Sequence, residues 1–170
     1  MGLIFDLDQT LIDSSCAENL RKSRRWSDVY SAISDFYLYP NIIDSLSFFR
    51  KKGIKICIVT SSPRSYCEKV INFWRIPCDF MVCYHDTNKK KPYPDPIYKG
   101  LELLGVNPDM VLSFGDKDID IIASNDAGVK SVACLWGSLE IDSLKKANPN
   151  YVLNNSDGII PLVSEVLGVI

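Results

Sequence analysis

The strongest constraint on how this chain can fold is an alternation: short apolar runs rich in β-branched residues are each followed by a longer stretch of helical period. The runs fall at residues 3–7, 54–59, 80–83, 111–114 and 132–135, with a weaker one at 151–153. Strands buried on both faces lose the in-out alternation of a half-exposed strand, so continuous apolar runs separated by helices indicate a parallel sheet covered on both sides. The spacing predicts helices over 42–52, 64–74, 96–104, 119–125, 139–147 and 159–167. Gly53 and Gly105 stand where helices stop, and Ser62-Pro63 reads as a cap followed by a first-turn proline. The expected architecture is an α/β, Rossmann-like three-layer αβα fold with a parallel sheet.

Residues 16–40 break the alternation. Arg21, Lys22, Arg24 and Arg25 are followed by Trp26, Tyr30, Phe36, Tyr37 and Tyr39, while Val29, Ile33 and Phe36 recur at helical spacing. This predicts a small helical insertion after the first strand, with the aromatics as its core and the basic cluster as a solvated helix face. The alternative for that cluster is contact with a second anionic group of a ligand. The 170 residues are expected to form one domain, 1–170, with 11–40 as the insertion.

Composition narrows the function classes. Lys+Arg 19 against Asp+Glu 21 leaves a net charge of −2, so no global field draws the chain to nucleic acid or to an anionic membrane. No apolar stretch approaches the roughly 18 residues of a membrane span. The start of the chain carries Asp6 and Asp8 where a secretory signal needs a basic start and an apolar core. The six cysteines show no C-x-x-C pair, and His85 is the only histidine, which argues for reduced thiols in a cytoplasmic protein and against a zinc site. His85 itself reads as a loop residue.

Polar residues cluster at the carboxyl ends of the runs, where open parallel sheets bind ligands. Asp6 and Asp8 close the first run, Thr60 and Ser61 follow the second, and Gly115-Asp116 follows the fourth. On a regular strand Asp6 and Asp8 would share a face, and like charges so close would raise one pKa, a reason for Asp8 to start protonated.

These residues resemble the four signatures of the haloacid dehalogenase-like hydrolase superfamily. Asp6-Leu7-Asp8-Gln9-Thr10 is similar to the first, Ile58-Val59-Thr60-Ser61 to the second, Lys91-Pro92 to the third and Gly115-Asp116-Lys117-Asp118-Ile119-Asp120 to the fourth. Gln9 stands where the family most often has glycine.

The resemblance implies a Mg²⁺-dependent phosphomonoester hydrolase acting on a phosphorylated small molecule. In that scheme Asp6 is the nucleophile, Asp8 the general acid and base, and Thr60, Ser61 and Lys91 bind the phosphoryl group. Asp6, Asp8 through its main-chain carbonyl, and Asp116 would hold the metal, with Asp120 a further ligand or an orienting group. Asp8 favours phosphate esters over carbon–halogen bonds, because an alkoxide needs a proton to leave and a halide does not. A phosphomutase sharing the aspartyl-phosphate, and a non-catalytic binding protein on the same fold, are the alternatives. Relatives carry a cap over the site, and 60–91 has no room for one, so the short insertion implies an open site that takes an extended substrate or is closed by a partner subunit.

Overall fold

A computed structural model describes residues 1–169. Six parallel strands lie in the order β5-β4-β1-β6-β7-β8: β1 (Gly2–Phe5), β4 (Lys55–Val59), β5 (Phe80–Val82), β6 (Val111–Gly115), β7 (Lys130–Cys134) and β8 (Tyr151–Leu153). All six expected strands are present. β1 is central, pairing with β4 on one side and β6 on the other. The chain runs outward from β1 through β4 to β5, then crosses back to β6 on the far side. That reversal is the topological switch point at which such sheets open a crevice.

The helices α3 (Ile42–Lys51), α4 (Arg64–Trp74), α5 (Asp95–Leu104), α6 (Asp118–Asp126), α7 (Ile141–Lys146) and α8 (Ile159–Leu167) lie within about two residues of their expected bounds. Each earns its place by burying one stripe: on α3, Ile42, Leu46 and Phe49 face inward at helical spacing. Successive β1 residues point to opposite faces, so Leu3 and Phe5 pack into one core layer and Ile4 into the other. Phe5 stacks on Phe114 at 4.5 Å, and burying it whole contributes about 1.5–3 kcal/mol. Gly53 and Gly105 do terminate helices, at φ +75° and +67°.

The insertion adds a strand pair to the helices expected there. It holds two short helices, α1 (Glu18–Lys22) and α2 (Trp26–Ser31), and a two-residue antiparallel pair, β2 (Ile12–Asp13) with β3 (Tyr37–Leu38). Strands this short leave no period in a sequence. Val29, Ile33 and Phe36 are buried as expected, and the Trp26 and Phe36 rings lie against Tyr66 of α4. The insertion is thus seated on α4. No helix among the described residues is long and apolar enough to cross a membrane.

Candidate active site

Regular pairing of β1 ends at Phe5, two residues earlier than expected, although the Asp6 N–H still donates to the Phe114 carbonyl at 2.9 Å. The chain then turns through Gln9, whose φ of +66° lies in the left-handed region. This explains the frequency of glycine there in the family pattern, since a side chain in that conformation costs about 1–2 kcal/mol. Tyr39 donates a hydrogen bond to Gln9 Oε1 at 2.9 Å and offsets part of that cost.

Despite the early end of the strand, Asp6, Asp8, Thr60, Ser61 and Lys91 line one small cavity of about 130 Å³. Lys91 reaches in with its Nζ 2.8 Å from Asp6 Oδ1, 2.5 Å from Asp120 Oδ1 and 3.0 Å from the Val59 carbonyl. Burial pulls the Lys91 pKa down, but the Asp120 and Asp6 carboxylates more than offset this and leave it raised. The Thr60 hydroxyl accepts from the Ser62 N–H at 3.1 Å, which orders the loop leaving β4.

Asp6, Asp116 and Asp120 form a group of carboxylates whose oxygens lie within 4.8 Å of one another. Thr10 donates to Asp116 Oδ1 at 2.9 Å, and the Lys117 N–H to Asp120 Oδ2 at 3.0 Å. Gly115 is required here, because a Cβ on it would fall 2.2 Å from Asp120 Cβ. Burial pushes Asp6 up to about 6, with Lys91 opposing and the charges of Asp120 and Asp8 adding to the rise. Asp116 is also raised, by burial first and then by Asp120 and Asp6. Three crowded, hard oxygen donors suit a divalent cation such as Mg²⁺, whose charge would favour their ionised forms. Both Asp120 oxygens are already engaged, by Lys91 and Lys117, whereas Asp6 and Asp116 each keep an oxygen with no hydrogen bond among the described residues.

Carboxylate crowding thus adds to the rise at both Asp6 and Asp116. Asp8 sits among donors: Arg21 at 2.9 Å, Ser14 at 2.6 Å and Tyr66 at 2.5 Å on Oδ1, and Ser62 at 3.0 Å on Oδ2. Two expectations are corrected by this cluster. Arg21 is not on a solvated face; its side chain is 13% exposed and ion-paired with Asp8, while Lys22 and Arg25 of the same cluster do project into solvent. Burial lowers the Arg21 pKa, and Asp8 followed by Tyr66 outweighs it and leaves it raised. Ser62 is not a helix cap either, since α4 is entered from Pro63 and the Ser62 hydroxyl goes to Asp8.

Sequence reasoning therefore missed Ser14, Tyr66 and the position of Arg21, and assigned Thr10 no partner. Tyr66 could have been noticed as a hydroxyl on the buried stripe of α4, because a buried phenol needs a partner. His85 is exposed on the loop after β5, as expected.

An open parallel sheet with acidic and cationic groups converging at its switch point defines a Rossmann-like protein with a site suited to a phosphoryl group. A family model described as "Haloacid dehalogenase-like hydrolase" matches residues 16–134, and the chain belongs to that family. It is 31% identical over 143 residues to a putative pyrophosphatase PpaX of Caldanaerobacter subterraneus, and 32% identical over 127 residues to a phosphoglycolate phosphatase of Aquifex aeolicus. These alignments cover 83% and 74% of this chain, which spans 63% and 58% of those two proteins. In fold it is similar to a putative phosphatase from Clostridium difficile, with a TM-score of 0.82 at 19% identity, covering 95% of this chain and 97% of that one. A putative beta-phosphoglucomutase from Thermotoga maritima has a TM-score of 0.81 at 20% identity, with 98% and 99% covered.

Proposed function

We propose that this protein is a Mg²⁺-dependent phosphomonoester hydrolase that works through an aspartyl-phosphate on Asp6. The observation that carries the reading is the 130 Å³ cavity, a phosphate-sized space whose walls bring together the carboxylates of Asp6, Asp8 and Asp120, the hydroxyls of Thr60, Ser61 and Ser62, and the buried Lys91 ammonium. Membership of the hydrolase family and the names of the two similar enzymes support it.

Each role follows from the atoms present. A carboxylate oxygen of Asp6 attacks phosphorus, and the bond from phosphorus to the ester oxygen breaks. Asp8 delivers a proton to that departing oxygen, then takes one from the water that hydrolyses the acyl phosphate and releases Asp6. Thr60 and Ser61 donate to the phosphoryl oxygens, while Lys91 neutralises their charge and holds Asp6 in place. A Mg²⁺ ion held by Asp6, Asp116 and the Asp8 main-chain carbonyl would supply the charge neutralisation that lets an anionic nucleophile approach an anionic ester. Asp120, tied to Lys91 and to the Lys117 N–H, orients the lysine.

The test is phosphate release from a panel of phosphomonoesters, with Mg²⁺ and with chelator. Asp6→Asn should fold and show no turnover; retention of the wild-type rate would overturn the covalent mechanism. Asp8→Asn should cost on the order of 10² to 10⁴ in rate on alkyl phosphates, whose leaving group needs a proton.

A further inference from the structure

Beside the phosphate-sized cavity lies a larger groove of about 390 Å³, within the range of small-molecule sites. The two share Arg21, Ser61 and Ser62, so they are contiguous. The groove wall adds the cations Lys22 and Arg24 and the rings of Trp26, Tyr84 and His85, and no carboxylate lines it. Arg24 has no ion-pair partner among the described residues, whereas Lys22 pairs with Glu18 at 2.8 Å. Trp26 leans on Tyr66 at 5.9 Å and is half-buried, which leaves part of its ring to the groove, and Tyr84 is 39% exposed with its ring 4.9 Å from that of His85.

The direction in which a leaving group would lie is set by Asp8. Its oxygens are bonded to Arg21 and Ser62, two of the three residues at the junction, so the oxygen it serves departs at the mouth of this groove. The other neighbouring cavity mixes Glu18, Asp116, Asp118 and Glu140 with Arg21, Lys22 and Lys117, so its wall lacks the groove's uniformly positive charge. A cationic wall interleaved with exposed rings matches a ligand with both negative charge and a flat aromatic face.

We propose that the groove is the leaving-group subsite and that it selects a nucleotide bearing a second phosphate besides the one transferred, either free or at the end of a strand. This rests on the phosphatase reading for its chemistry, but the binding surface stands or falls separately. The second phosphate meets Arg24, and the base lies against Trp26 and Tyr84. A leaving group the size of phosphate or glycolate leaves most of the groove unused.

Four esters separate the two features: glycerol 1-phosphate has neither, thymidine 5′-monophosphate has the base, fructose 1,6-bisphosphate has the second phosphate, and thymidine 3′,5′-bisphosphate has both. The expected kcat/KM is highest for the last, by about tenfold or more over either ester with one feature, since a stacked base or a charge-assisted contact is each worth roughly that factor. Arg24→Ala should remove the advantage of the second phosphate. Tyr84→Ala, on an exposed side chain, and Trp26→Ala should each remove that of the base. Arg24→Ala and Tyr84→Ala should leave glycerol 1-phosphate turnover unchanged, while Trp26→Ala, which also loses its contact with Tyr66, is read only by the ratio of its rates on the four esters. Calorimetric binding of the same four compounds to Asp6→Asn should follow the same order. Fructose 1,6-bisphosphate equalling thymidine 3′,5′-bisphosphate, or Arg24→Ala and Tyr84→Ala lowering all four esters together, would overturn the assignment. So would equal binding of all four to Asp6→Asn, whatever the activity. Hydrolysis of glycerol 1-phosphate that is lost in Asp6→Asn upholds the phosphatase reading even if the groove fails. A 5′-phosphorylated dinucleotide outperforming the bisphosphate assigns the strand end, and the reverse order the free nucleotide.

Discussion

Replacing Arg21 with methionine keeps the stem and removes the charge that faces Asp8. At 2.9 Å and an effective dielectric of about 20, the gross attraction of the pair is roughly 6 kcal/mol. Desolvation takes back most of it, because the two side chains are only 13% and 14% exposed. Orphaning a buried charge usually costs about 3–5 kcal/mol, but Asp8 keeps the Ser14, Tyr66 and Ser62 hydroxyls in the variant. The expected net loss is therefore about 2 kcal/mol, which at a urea m-value of about 2 kcal/mol/M lowers the unfolding midpoint by about 1 M. A double-mutant cycle of Arg21→Met with Asp8→Asn, read by urea unfolding in chelator, should give a coupling of about 2 kcal/mol. If Arg21→Met destabilises the Asp8→Asn protein as much as the wild type, the arginine contributes through its packed stem, and the electrostatic account is wrong.

Gly115→Ala should destabilise by at least about 2 kcal/mol and remove the proposed phosphatase turnover, since its Cβ would displace Asp120 and with it Lys91; a wild-type urea midpoint and rate would contradict the close approach seen here. Asp13 is slightly buried, which pushes its pKa up, but hydrogen bonds from Ser15 and from the Tyr37 hydroxyl outweigh this and hold it low. Its contribution to stability is thus complete above the unfolded carboxylate pKa and fades as pH falls through the lower folded value. The deficit of Asp13→Asn, measured as the difference in urea midpoint from wild type, should be largest near neutrality and shrink below about pH 4; a deficit independent of pH would exclude this source.

Much of the fold was legible because it depends on local pattern. A strand buried on both faces must be an apolar run and an amphipathic helix must repeat near 3.6, so six strands and six helices could be placed from the letters alone. The acids, hydroxyls and lysine of the central cavity were legible for a related reason. Strand ends are where parallel sheets deliver chemistry, and Asp6, Thr60 and Asp116 each lie at or just past the end of an apolar run.

The setting of Asp8 was not legible. Its partners Ser14, Arg21, Ser62 and Tyr66 come from the insertion, the loop after β4 and helix α4, and each looks unremarkable in its own segment. Arg21 sits in a run of basic residues that composition assigns to solvent, and only a carboxylate brought up by a distant strand makes its burial favourable. The β2–β3 pairing is likewise decided by contact across 24 or more residues, with no period to announce it. Period and punctuation are properties of neighbours in the chain, and they determined the layers and the edge of the sheet that carries the chemistry. Which side chains meet at that edge was decided by tertiary packing, because the free energy of burying a charge or hydroxyl depends on a partner that the local sequence does not contain.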